Sequence, residues 1–163
     1  GHPMAGRQGS GLGMSQAEIF DGANYIVVPA AFNSSGAIEW LSRFAGAIGC
    51  GQVVQVDAVE HDRIIAYTSN LPHALAVALI NSASYNENTK YFIAGSFRDG
   101  TRVADINPYL WSDLFLANRE NVLQEVAAFS QQLERWRKAL TAADAQALQE
   151  MMREAAVKRK DLY

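Results

Sequence analysis

The sequence predicts a mainly α protein with a short α/β portion at its N-terminal side. Three observations carry this reading. Two β-rich stretches, NYIVVP at 24–29 and QVVQV at 52–56, flank a segment whose apolar residues recur at helical spacing. From Asp57 onward the helical period persists almost to the end of the chain. Hydrophobic residues fill 49% of the 163 positions, enough for the core of one ordinary domain or of one small domain with part of another.

The first portion is 1–56. Ser15-Gln16-Ala17-Glu18 has the spacing of a capping box and predicts a brief helical turn through Phe20. The stretch 24–29 predicts a buried strand that Pro29 terminates. Ser34 or Ser35 then caps a helix with Ile38, Leu41, Phe44, Ala45 and Ile48 on one face, ended by Gly49. The stretch 52–56 is the next strand. Strand–helix–strand order belongs to an α/β layer, yet one such unit cannot bury both faces of a sheet.

The second portion is 57–163. One long helix is predicted over 57–82 and is expected to kink at Pro72, which removes a backbone donor and clashes with the preceding turn. A helix follows over 88–103, and another opens with Asn107 as cap and Pro108 in its first turn. Residues 120–140 set Val122, Val126, Phe129, Leu133 and Trp136 at helical spacing. The stretch 141–144 (TAAD) caps a last helix that ends in the basic run Lys158-Arg159-Lys160. Helices this long in so few residues commonly share a bundle, so oligomerisation is expected.

A net charge of −3, with 19% charged residues, points to neither nucleic acid nor an anionic membrane as partner. The most apolar stretches, YIVVPAAF and HALAVALI, are far shorter than the roughly 20 residues of a membrane span. The glycine-rich start lacks the apolar core of a signal peptide. Cys50 is the single cysteine, which excludes an internal disulfide and suits a reducing cytoplasm. The expectation is a soluble, cytoplasmic protein with Cys50 as a buried bystander.

Gly9, Gly11 and Gly13 alternate as in dinucleotide loops, but that fingerprint must follow a strand, open a helix and carry an acidic residue about 20 positions on. A flexible loop accounts for them better. His61 with Asp57, Glu60 and Asp62 raises a metal site, yet no recognised ligand spacing supports one, and His73 lies about 120° around the helix. A solvated, acid-rich first turn is the better account, so no metal is expected. Ser69 and His73 are i,i+4 neighbours where Pro72 frees the Thr68 carbonyl, and polar groups at such a kink are costly unless used. His73 is therefore either a structural histidine bonded to a carbonyl or a site residue. Asp99 and Arg102 can pair, which holds a guanidinium for bidentate capture of a carboxylate or makes an ordinary surface ion pair.

Four stretches in this order carry a further signal: His2-Pro3-Met4-Ala5-Gly6, Ser69-Asn70-Leu71-Pro72-His73, Phe97-Arg98-Asp99-Gly100-Thr101-Arg102-Val103-Ala104, and Asn107-Pro108-Tyr109-Leu110-Trp111-Ser112-Asp113 with Asn118. Together they resemble the prephenate/arogenate dehydrogenase family of tyrosine biosynthesis, over essentially the whole chain. That resemblance implies a Rossmann-type α/β domain for NAD or NADP followed by an all-helical dimerisation domain. Residues 1–56 would be the last strand–helix–strand portion of the first domain, and 57–163 the helical substrate-binding and dimerisation domain. The cofactor fingerprint would stand upstream, so no cofactor is expected bound to this chain.

The family reaction oxidatively decarboxylates a cyclohexadienyl substrate: hydride leaves the hydroxyl-bearing carbon, carbon dioxide departs and the ring aromatises. A base must take the hydroxyl proton, a task that suits neutral imidazole. The resemblance gives that role to His2 and carboxylate binding to Arg102, oriented by Asp99. It implies substrate-pocket roles for Ser69 and His73, and also for Trp111, for which core packing is the other account. Asn70 stands where many members have a second histidine. Gln8 occupies a position acidic in some members, which favours prephenate over arogenate. Homodimerisation is implied, and tyrosine inhibits some relatives. The alternative is a stand-alone helical dimerisation or tyrosine-binding module without catalysis.

Overall fold

The computed structural model describes residues 1–6 and 11–162. The expectations placed on Gln8 and Gly9 lie outside the described residues. Contacts divide the chain into two units, Gly1–Val122 and Leu123–Tyr163.

The first unit is built on a three-stranded sheet in the order β1-β2-β3, with β1 His2–Pro3, β2 Tyr25–Val27 and β3 Val53–Gln55. β2 and β3 are parallel, Tyr25 opposite Val53 and Val27 opposite Gln55, and helix α1 (Ser35–Ala47) connects them. This is the expected strand–helix–strand order. Ser34 is the cap, its Oγ accepting from the Ala37 N–H at 3.2 Å. Beyond the helix Gly49 takes a φ of 99°, the left-handed conformation that glycine adopts without a Cβ penalty. Tyr25, Val27, Ala45 and Cys50 are buried together, with Ile38, Leu41 and Ile48 packed against them. Phe44 departs from the expected face. It is 43% exposed and stacks on Trp40, because the core-facing row runs through Leu41, Ala45 and Ile48.

Two N-terminal features differ from expectation. Ser15 caps no following helix: its hydroxyl donates to the Leu12 carbonyl at 2.6 Å, closing the preceding turn. The short 3₁₀ helix Ala17–Phe20 follows without a side-chain cap. His2 and Pro3, to which the sequence reading assigns no element, form a strand antiparallel to β2, with His2 opposite Ile26. Pro3 tolerates this place because a two-residue edge strand asks little of its missing N–H.

The long helix expected over 57–82 is three segments in line: α2 (Ala58–Ile65), a π-helical turn (Ala66–Asn70) and α3 (Leu71–Ile80). Asp57 caps α2, its Oδ1 accepting from the Glu60 N–H at 2.9 Å. The kink anticipated at Pro72 takes the form of the π turn, in which the Leu71 N–H reaches back to the Ala66 carbonyl.

The helix expected over 88–103 is much shorter, α4 spanning Gly95–Thr101. Asn86 is the reason. Its side chain accepts from the Asn88 N–H and its own N–H bonds to Thr89 Oγ1, so local turns displace the first helical turns. A 3₁₀ turn, Arg102–Ala104, continues α4, and both pack against α3. Helix α5 (Pro108–Ala117) starts as expected, with Asn107 Oδ1 accepting from the Tyr109 and Leu110 N–H groups.

Helix α6 (Arg119–Thr141) runs from the first unit into the second, where α7 (Ala145–Lys160) follows it. Asp144 is the residue of the 141–144 stretch that caps α7, accepting from the Ala147 N–H at 2.9 Å. Ala139 and Met151 are buried, and Arg135 meets Glu154 at 3.6 Å. Leu123, Val126, Leu133 and Leu140 on α6, with Met152 and Val157 on α7, remain exposed. No described helix is long and apolar enough to cross a membrane.

Candidate active site

Two clusters of polar side chains form in the first unit. One lies where α2 meets the sheet edge. His2 and His61 approach through their Nε2 atoms at 2.9 Å, the rings edge to face with centroids 5.2 Å apart. His2 Nδ1 lies 3.2 Å from the Pro3 carbonyl, and His61 Nδ1 lies 2.8 Å from Asp62 Oδ1. His61 is therefore not part of a solvated turn. Its side chain is 20% exposed, because β1 pairing with β2 carries His2 over it. Glu60 instead turns to Arg63 at 2.7 Å, and Asp57 is used as the cap. Among the described residues no three His, Cys, Asp or Glu side chains are arranged to hold a metal ion.

The π turn and its neighbours build the second cluster. His73 Nδ1 donates to the carbonyl of Ser69 at 2.8 Å, one residue beyond the carbonyl that Pro72 is expected to free. A carbonyl only accepts, so Nδ1 carries the proton and Nε2 of the neutral ring is left as an acceptor. Trp111 stacks on the imidazole, centroids 3.7 Å apart at 28°, and Phe115 lies against Trp111 at 5.6 Å. Ring orientation and tautomer of His73 are thus both set, one by the indole and one by the carbonyl. The structural and functional accounts of this histidine coexist, because the carbonyl takes only one of its two nitrogens.

Asn70, which the sequence comparison marked as a departure, is 3% exposed. Asn118 Nδ2 donates to the Asp62 carbonyl at 2.7 Å and makes a long 3.5 Å contact with Asn70 Oδ1. Asn121 in turn donates to Asn118 Oδ1 at 2.8 Å. This amide chain ties the start of α6 to α2 and to the π turn. It gives the buried Asn70 a partner that a sequence reading had no means of naming.

Arg102 is exposed in the 3₁₀ turn packed on α3, the helix that carries His73, and Asp99 is exposed in the last turn of α4. Ser69 is half-buried in the π turn. Residues 28–34, between β2 and α1 in the βαβ unit, read VPAAFNS, without glycine, and Ser34 already serves an N-terminal donor of α1. That turn does not fit the pyrophosphate of a dinucleotide, which needs close backbone approach at a helix N-terminus.

Comparison with known proteins agrees with this architecture. The sequence profile of the family described as prephenate dehydrogenase, dimerization domain, matches residues 57–154. A cyclohexadienyl dehydrogenase of Zymomonas mobilis is 35% identical over 159 residues, covering 94% of this chain and 54% of that protein. A prephenate dehydrogenase of Bacillus subtilis is 31% identical over 152 residues, covering 91% and 41%. The chain thus spans about half the length of the curated relatives it matches. Among solved structures, the prephenate dehydrogenase of Aquifex aeolicus in complex with hydroxyphenyl propionate and NAD+ superposes with a TM-score of 0.85 at 29% identity, over 99% of this chain and 58% of that one. A Synechocystis arogenate dehydrogenase shares the fold, with a TM-score of 0.81 at 21% identity over 99% and 60%. With its helical region matched and its architecture shared, the chain belongs to the prephenate dehydrogenase family.

Proposed function

We propose that this chain supplies the substrate-binding and proton-accepting part of an NAD(P)-dependent dehydrogenase that converts prephenate to 4-hydroxyphenylpyruvate in tyrosine biosynthesis. In this reading 1–56 is the last portion of the nucleotide-binding domain and 57–163 the helical domain. The observation that carries it is the pair of oriented imidazoles, His2 and His73, each tied through one nitrogen to a backbone carbonyl. His2 is the base for the substrate hydroxyl. His73, with Nε2 unprotonated and its ring held by Trp111, accepts a hydrogen bond from substrate, and Ser69 lines the same turn. Arg102, oriented by Asp99, binds a ring or side-chain carboxylate bidentately.

NAD or NADP, when bound to the whole enzyme, would supply the hydride acceptor. The helical domain forms a homodimer, for which the exposed Leu123, Val126 and Leu133 of α6 provide apolar surface. The enzyme works in the cytoplasm, and arogenate is the competing substrate.

Turnover of prephenate and of arogenate with NAD or NADP, followed by nicotinamide absorbance in the full-length polypeptide, tests this. His2→Asn is expected to lower kcat by about 100-fold or more while leaving NAD affinity alone. Arg102→Ala is expected to raise KM roughly tenfold or more at similar kcat. Normal turnover by His2→Asn would remove the base assignment, and preference for arogenate would change the substrate. Calorimetry of the 163-residue chain with NAD is expected to show no binding; measurable affinity would overturn the placing of the cofactor site.

A further inference from the structure

The π turn that precedes α3 is held on both sides by one side chain. Asn118 Nδ2 donates to the Asp62 carbonyl at 2.7 Å, ahead of the turn, and makes its longer contact with Oδ1 of Asn70, the last residue of the turn. The Asp62 carbonyl only accepts, which fixes the orientation of the Asn118 amide. Its NH2 group, with two hydrogens to give, faces α2 and Asn70, and its Oδ1 faces Asn121. The backbone of Asn118 is equally committed. Its N–H donates to the Leu114 carbonyl at 3.3 Å, closing α5, and its carbonyl accepts from the Val122 N–H at 3.1 Å within α6. One residue therefore joins the helix that carries Trp111 to the turn that orients His73.

We propose that Asn118 is a positioning residue of the substrate site: it clamps the π turn and thereby fixes where the His73 imidazole points. This rests on the reading of His73 as a substrate contact. The ring bonds to the Ser69 carbonyl at 2.8 Å, and Ser69 is the neighbour of Asn70 within the turn. Reversion to α-helical bonding would move the Leu71 N–H from the Ala66 carbonyl to that of Tyr67 and re-aim the carbonyls that follow, Ser69 among them. Trp111, stacked on the imidazole, belongs to the helix that Asn118 ends. Both contacts that set His73 thus trace back to the same residue. Asn70 is too deeply buried, at 3% exposed, for bulk water to replace the Asn118 amide.

Steady-state kinetics of the full-length polypeptide separate positioning from stability alone. Partial unfolding lowers the concentration of active enzyme, and with it the apparent kcat, but leaves KM where it was. A misdirected substrate contact raises KM. Asn118→Asp keeps the shape of the side chain and an acceptor for Asn121 but removes the donor that faces the Asp62 carbonyl. It is expected to raise KM for prephenate about fivefold or more, with kcat and the KM for the nicotinamide cofactor within twofold. Asn118→Ala is expected to move KM in the same direction. Asp144→Ala, which loses the cap of α7, is the stability control and is expected to leave KM within twofold. An unchanged KM in both Asn118 variants, whatever happens to kcat, or an equal rise in Asp144→Ala, would overturn the proposal. His73→Ala distinguishes it from the reading beneath it. No change of KM in His73→Ala removes the substrate contact itself, whereas a rise there with none at Asn118 removes only the clamp.

Discussion

The two units of the chain are held by different kinds of contact. Within residues 123–163 most side-chain bonds reach three or four positions along the helix: Arg137 to Glu134, Thr141 to the Arg137 carbonyl, Asp144 to the Ala147 N–H. The Arg135–Glu154 pair joins successive helices. Within residues 1–122 the decisive bonds join distant positions: His2 to His61, Asn118 to Asp62, Asn118 to Asn70. A hairpin can be assembled from propensity, capping and period. The cluster of His2, His61 and Asn118 draws on three elements at once, because no single helix face brings these side chains together.

Breaking a long-range bond in the first unit is therefore expected to cost more than breaking a local one in the second. Asn118→Ala removes two donor contacts and leaves the buried Asn70 without its side-chain partner. A loss of about 2 kcal/mol in urea unfolding is expected, with faster hydrogen exchange along α2 and the π turn. A loss no larger than that of a helix cap would remove the contrast. Asp144→Ala deletes the cap of α7 and is expected to cost about 1 kcal/mol, with exchange confined to the first turn of that helix.

The smallest effect is expected at Glu134. The hydrogen bond from Arg137 holds its carboxyl below the ordinary range, and Glu134 in turn raises Arg137. A carboxyl lowered in the folded state contributes at neutral pH and loses that contribution as pH falls through its folded value. Both groups face solvent, however, where screening leaves little of the interaction. Glu134→Gln is expected to leave the melting temperature unchanged at neutral pH, and the two proteins should remain alike as pH falls.

Much of the fold was legible in the residues. Ser34, Asp144 and Asn107 begin their helices through short side chains that satisfy the first free N–H groups, a bond formed within three residues. Val122, Val126, Leu133 and Trp136 forecast α6 to within a residue at each end. The misreadings arose where one local bond competed with another. Ser15 closes the turn before it rather than capping the helix after it, and Asn86 turns the backbone where periodicity alone predicts helix.

The candidate site divides along the same line. The sequence left two accounts of His73 open, and the carbonyl it bonds is that of Ser69, not the Thr68 carbonyl that Pro72 is expected to free. Which nitrogen remains free, and that Trp111 stacks on the ring, required α3 and α5 to meet. His61 shows the limit most clearly. Alone in an acidic first turn it reads as a solvated residue, and nothing within ten positions distinguishes it. Only the pairing of β1 with β2 carries His2 over it and turns two separate histidines into a hydrogen-bonded pair. Helix starts, the proline kink and the apolar rows were determined by the sequence itself, because each arises from groups adjacent along the chain. The contact between His2 and His61 was decided by tertiary structure, because its two rings are 59 residues apart and meet only when sheet and helix pack.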